Sequence, residues 1–132
     1  MLEARKVRLL MQLRQKGITD QKVLSAIEKV PREAFIPESF HDQAYENTAL
    51  PIGLGQTISQ PSVVGFMTQA LEVGPRMKVL EIGTGCGYQA AVLSGMCRRI
   101  YSIERFKELF RLAQNRLSEL RFNNVTIKWG DG

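Results

Sequence analysis

Residues 79–88, VLEIGTGCGY, carry the residue types most able to do chemistry. An apolar run leads into three glycines at alternate positions, Gly83, Gly85 and Gly87, with Glu81 two positions before the first. Glycines allow a tight turn at a strand end and bring backbone close to a ligand with no Cβ in the way. A helix opening behind such a turn offers unpaired N–H groups. The dinucleotide fingerprint GxGxxG needs a glycine where Tyr88 stands, and the phosphate-cradling GxxxxGK[ST] does not occur. Glu81 repels phosphates and suits a ligand carrying an ammonium and a sulfonium. Glu104 closes the next apolar run, where a carboxylate can accept hydrogen bonds from ribose hydroxyls. Asp131 closes the one after it and can accept from an adenine amine. Acids closing three successive parallel strands point toward one edge of the sheet.

The elements that must position these residues follow from periodicity and punctuation. Lys78–Ile82, Arg99–Glu104 and Val125–Trp129 read as short strands, separated by helices over 88–96 and 106–120. Leu109, Phe110, Leu112, Ala113 and Leu117 form the expected inner face of the second of these helices. Strand–helix–strand–helix–strand with right-handed crossovers predicts a parallel α/β sheet in the order 3-2-1, half of a doubly wound fold. Upstream, helices are expected over 2–16, stopped by Gly17, and from a cap at Thr19 or Asp20 to Pro31. Short helical turns are expected at Arg32–Phe35 and Glu38–Gln43. Residues 45–59, with Pro51, Gly53 and Gly55, read as an ordered but irregular loop. A further helix runs from Pro61 to about Leu71, ended by Gly74-Pro75. The expected division is 1–60, a helical extension with a substrate loop, and 61–132, the first half of the cofactor-binding domain. The chain stops at Gly130-Asp131-Gly132, right after the third strand. It therefore reads as a fragment whose first strand is an exposed apolar edge, a template for self-association.

Composition narrows the class. The 132 residues suffice for a modest core, and 44% hydrophobic with 23% charged residues is ordinary for a soluble protein. No apolar run approaches a membrane span, and the basic amphipathic start lacks the features of a secretory signal. The net charge of +5 is scattered over helix faces rather than concentrated among aromatics, which argues against nucleic acid as a partner. Cys86 and Cys97 form no CxxC motif, and with His41 the only histidine no metal site is expected. They read as reduced thiols of a cytoplasmic protein, Cys97 as a small buried hydrophobe. His41, in a polar turn, reads as structural or solvated.

The glycine motif, with Glu104 and Asp131, resembles that of class I S-adenosylmethionine-dependent methyltransferases. Residues 45–61, YENTALPIGLGQTISQP, narrow the resemblance to the protein-L-isoaspartate O-methyltransferases, whose LPIG-like stretch and QTIS box precede the cofactor motif. VLEIGTGCGYQAAVL and SIER resemble the bacterial members, and the similarity runs over essentially the whole chain. The resemblance implies methyl transfer from S-adenosyl-L-methionine, leaving S-adenosyl-L-homocysteine, to the free carboxylate of L-isoaspartyl and D-aspartyl residues in damaged proteins. The ester then closes to a succinimide that can reopen as normal aspartate. An ionised carboxylate and an activated methyl need no general base, only alignment and exclusion of water.

Carried onto this sequence, Ser59 matches the family's active-site serine, and Gln56, Thr57 and Ile58 shape the substrate groove with it. Position alone favours Ser59 as a cap that begins the next helix; the QTIS context reverses that. Glu81, Gly83, Thr84, Gly85 and Gly87 match the methionine and ribose side of the cofactor site, Glu104 and Arg105 the ribose, and Asp131 with Gly132 the adenine. Cys86 stands where serine is common in the family. The family's C-terminal region, with its remaining strands and part of the substrate wall, has no counterpart here, so the 132-residue piece is expected to be inactive by itself. The full-length enzyme is expected to be a monomer. Two other readings stay open: a methyltransferase for RNA or a small molecule, and a half-domain that binds cofactor weakly or only self-associates.

Overall fold

In the computed structural model, which describes residues 2–132, contacts divide the chain into two compact units, one ending at Glu72 and the other spanning Val73–Gly132. The first is mostly helical. Helix α1 (Leu2–Gln15) buries Leu9 and Leu13. It stops at Gly17, whose φ of +102° is left-handed. The amide of Ile18 reaches back to the Leu13 carbonyl and that of Gly17 to Arg14, the paired bonds of a Schellman cap. Asp20 caps α2 (Gln21–Lys29) by accepting from the Lys22 N–H, and Val23, Leu24, Ala26 and Ile27 form its buried face. Pro31 follows the end of α2, and two 3₁₀ turns, Arg32–Phe35 and Glu38–Gln43, lead on.

The segment expected to be an irregular loop is instead a β-hairpin, β1 (Leu50–Gly53) paired antiparallel with β2 (Gln56–Ile58). Its tip, Leu54-Gly55, has positive φ at both residues, the requirement of tight hairpin turns of the I′ class. A bulge between Pro51 and Gly53 accommodates the proline. Helix α3 (Pro61–Leu71) opens on proline as expected. The expected border at 60/61 detached α3 from the first unit, but α3 is part of it. The Gln69 Oε1 accepts from the amides of Thr19 and Asp20, both at 2.9 Å, and its Nε2 donates to the Gly17 carbonyl. Gly65 lies so close to the same connector that a Cβ there would stand 2.5 Å from Ile18 Cδ1.

The second unit is a parallel three-stranded sheet, β3 (Lys78–Ile82), β4 (Arg99–Glu104) and β5 (Val125–Trp129), in the order β3-β4-β5. The crossovers are α4 (Tyr88–Ser94) and α5 (Lys107–Glu119). Ala90, Leu93, Cys97 and Ile100 form the core between helix and sheet, with Val73, Val79 and Val125 against it. On α5, Leu109, Ala113 and Leu117 are buried at a four-residue spacing. Leu112 does not face inward as expected; it lies off that stripe and is 51% exposed. Strand β3 is an edge, and its Leu80 and Ile82 are 64% and 60% exposed. No helix among the described residues is long and apolar enough to cross a membrane.

Candidate functional site: the glycine loop and the QTIS box

Strand register decides what surrounds the glycine loop. Glu81 pairs with Ser102, so the two side chains share one face of the sheet, with Glu104 two residues further along β4. Ser102 Oγ donates to Glu81 Oε1 at 2.6 Å and lies 2.5 Å from the Thr84 hydroxyl. Glu104, only 4% exposed, accepts from the Gly85 amide on Oε1 and from the Phe106 amide on Oε2, both at 2.8 Å. Its carboxylate thereby joins the loop to the start of α5. The amides of Gly83 and Thr84 bond to the Ile103 carbonyl, and Arg116 of α5 donates to the Cys86 carbonyl. The loop is thus held from β4 and from α5.

The glycines are conformationally required: φ is +90° at Gly83, +59° at Gly85 and +94° at Gly87. Around Gly83 no atom lies within 4 Å of where a Cβ would be, so this side is open to a ligand. Burial pushes the Glu81 carboxyl up to about 7, the Ser102 hydrogen bond opposes this, and the nearby Glu104 charge adds to it. A cation placed here relieves the repulsion between two carboxylates, whereas a phosphate adds to it. The donor set therefore fits a ligand with an ammonium and a sulfonium.

The last residues come to the same end of the sheet. The Gly130 amide bonds to the Glu104 carbonyl, and a Cβ on Gly132 would stand 2.8 Å from Ile82 Cγ2. Asp131, between them, is exposed. Arg105 is also exposed, its guanidinium 4.8 Å from the Phe106 ring centroid and its carbonyl accepting from Trp129 Nε1. Thr84 is buried, with its hydroxyl turned to Ser102. Ser102 had no place in the reading of the motif. The one signal for it is a hydroxyl residue inside an otherwise apolar strand.

The QTIS box belongs to the first unit. Gln56, Thr57 and Ile58 form β2, with Gln56 and Thr57 exposed and Ile58 buried. Ser59 follows, exposed, and its carbonyl accepts from Arg32 Nη2 at 3.0 Å. It is not the helix cap: the N-cap of α3 is Gln60, with no capping bond from its side chain. The Ser62 amide is instead met by the Asn47 side chain at 2.9 Å. Arg32, Tyr45 and Asn47, which fix the box, were not among the residues singled out in the sequence. His41 Nε2, on the second 3₁₀ turn, donates to the Ile36 carbonyl at 3.2 Å.

The family model described as protein-L-isoaspartate(D-aspartate) O-methyltransferase matches residues 4–132. A protein-L-isoaspartate O-methyltransferase of Paramagnetospirillum magneticum is 64% identical over 130 residues, 98% of this chain and 61% of that relative. The protein of the same name from Rhodospirillum centenum is 62% identical over 129 residues, 98% of this chain and 58% of its own length. Among solved structures, a protein-L-isoaspartate O-methyltransferase superposes with a TM-score of 0.88 at 30% identity, covering 96% of this chain and 42% of its own. A Plasmodium falciparum beta-aspartate methyltransferase in complex with S-adenosyl-L-homocysteine has the same fold, with a TM-score of 0.77 at 24% identity over 93% of this chain and 62% of that one. The chain spans about 60% of the length of the curated relatives it matches.

Proposed function

Because this chain belongs to the protein-L-isoaspartate(D-aspartate) O-methyltransferase family, we propose that its gene product methylates the free carboxylate of L-isoaspartyl and D-aspartyl residues in damaged proteins and so starts their repair. The methyl donor is S-adenosyl-L-methionine, which when bound supplies an electrophilic methyl on a sulfonium. The observation that carries the reading is the family match over residues 4–132, which takes in both the QTIS box and the glycine loop.

Each residue then has a task. Gly83 and Gly85 bring backbone up to the cofactor without side-chain obstruction, Gly87 lets the loop turn into α4 against Leu117 and Ala113 on the cofactor side of the motif, and Glu81 faces the cofactor's cationic end. Glu104 holds the loop in shape and, with Arg105, serves the ribose, while Asp131 and Gly132 serve the adenine. Ser59 donates a hydrogen bond to one oxygen of the substrate carboxylate and so turns the other toward the methyl. Gln56, Thr57 and Ile58 line the approach. The carboxylate is already ionised at neutral pH, so no residue has to remove a proton. Alignment is the main contribution asked of the protein. The buried Cys86 and Cys97 thiols fit a reducing compartment, and the cytoplasm is the proposed location.

The test is incubation of the complete gene product with an isoaspartyl peptide and labelled S-adenosyl-L-methionine. A base-labile methyl ester is expected, and its absence overturns the reading. Ser59→Ala is expected to lower kcat about 10- to 100-fold while cofactor affinity stays within about 2-fold. Equal losses in both would assign Ser59 to folding.

A further inference from the structure

Resting on the reading of Ser59 above, we propose that Arg32 is a positioning residue that sets the aim of the Ser59 hydroxyl. Arg32 is fully buried, at 0% exposure, on the turn that follows Pro31. Removing a guanidinium from water is costly unless its donors meet acceptors. Its Nη2 donates to the Ser59 carbonyl at 3.0 Å and, more weakly, to the Thr48 carbonyl at 3.4 Å. These two carbonyls flank the β1–β2 hairpin: Thr48 lies just before β1, and Ser59 directly follows β2. One cation therefore closes the open end of the hairpin, opposite the Leu54-Gly55 tip.

The arginine is itself fixed. Its backbone N–H donates to the Tyr45 hydroxyl at 3.2 Å, and that hydroxyl donates in turn to the Glu33 carboxylate. Beyond Ser59, the first turn of α3 is held through the Asn47 bond to the Ser62 amide. Ser59 is thus pinned on both sides while its side chain stays exposed. A serine hydroxyl can point only where its backbone lets it, and a charge-assisted bond to the residue's own carbonyl restricts that backbone. Both bonds leave one nitrogen, Nη2, whose two N–H groups are fixed in the guanidinium plane, so their directions are set; a lysine ammonium turns freely about its own bond and sets neither.

The experiment is steady-state methyl transfer to an isoaspartyl peptide by the complete gene product, with Arg32→Lys and Tyr45→Phe each placed in the wild-type and Ser59→Ala backgrounds. Arg32→Lys is expected to lower kcat about 10-fold, with the KM for S-adenosyl-L-methionine within about 2-fold. Tyr45→Phe, which keeps the ring and loosens the arginine, is expected to lower kcat about 3-fold. Both effects are expected to vanish in the Ser59→Ala background, because the group being aimed is gone. A purely structural role would lower the melting temperature and leave the same kcat ratio in both backgrounds, and that result overturns the proposal. So does a folded Arg32→Lys protein with undiminished kcat. If Arg32→Lys does not fold, Tyr45→Phe decides by the same criteria. A wild-type protein that leaves the peptide unmethylated would sink the functional reading and this inference together; an active wild type indifferent to both substitutions would sink this inference alone.

Discussion

Replacing Glu81 by glutamine should make the folded chain more stable at alkaline pH and remove a pH dependence from cofactor binding. The carboxyl rises from 4.5 to about 7 on folding, because burial disfavours its charge and the Glu104 carboxylate adds repulsion, partly offset by the Ser102 hydrogen bond. A raised carboxyl favours the folded state while it is protonated. Its contribution is whole below pH about 4.5, declines as pH climbs toward 7, and is lost above that. At about 1.4 kcal/mol per pH unit, the shift amounts to at most about 3 kcal/mol. Glutamine keeps an acceptor for the Ser102 hydroxyl and never ionises, so the substitution removes the penalty and leaves the bond. Denaturant melts from pH 4 to pH 8.5 should show the two proteins converging at the acid end, with Glu81→Gln ahead by about 2–3 kcal/mol at the alkaline end. A cationic ligand draws the carboxyl back down. Calorimetry with S-adenosyl-L-homocysteine, which has lost the sulfonium charge and keeps the ammonium, should therefore show wild-type affinity falling up to about tenfold per unit below pH 7, and a flat profile for Glu81→Gln. Parallel stability curves for the two proteins would refute the assignment of a buried, proton-holding carboxyl. Parallel affinity curves would refute its contact with the cationic end of the ligand.

Two further outcomes follow from the second unit. Gly87→Ala places a side chain at φ +94° with its Cβ 3.4 Å from Leu117, and should cost about 1–2 kcal/mol in a denaturant melt; an unchanged midpoint would contradict the backbone assigned to the loop. Because β3 is an edge strand with Leu80 and Ile82 exposed, the 132-residue chain should self-associate with rising concentration on a sizing column. Leu80→Lys should restore a monomer, and a wild-type chain that stays monomeric would dismiss the edge as a contact.

The sheet was legible in the sequence because its strands are apolar runs bounded by glycine and polar turns, and α3 because a proline opens it and Gly74-Pro75 follows it. The hairpin was not legible. Its strands are very short, one contains Pro51, and the first left-handed position of its turn is held by Leu54, a residue type that rarely takes it. Of the candidate site, the glycine loop and its acids stood out by spacing alone. Their linkage through Ser102 depends on the Glu81–Ser102 register, which no local pattern encodes. Arg32 escaped notice for a related reason. Arginine in a polar turn reads as surface, and only the fold reveals the carbonyls that draw it inside.

Gln69 carries a consequence for the dynamics of the first unit. Its amide takes two N–H groups and one carbonyl of the connector between α1 and α2. Gly17, Thr19 and Asp20 therefore cannot open to solvent with these bonds intact while the last turn of α3 stays in place. In hydrogen exchange, the Thr19 and Asp20 amides are expected to share the protection of a helix some fifty positions away in the chain. The connector and the end of α3 thus open together, and Ser59, between β2 and the start of α3, sits one helix length from that lock.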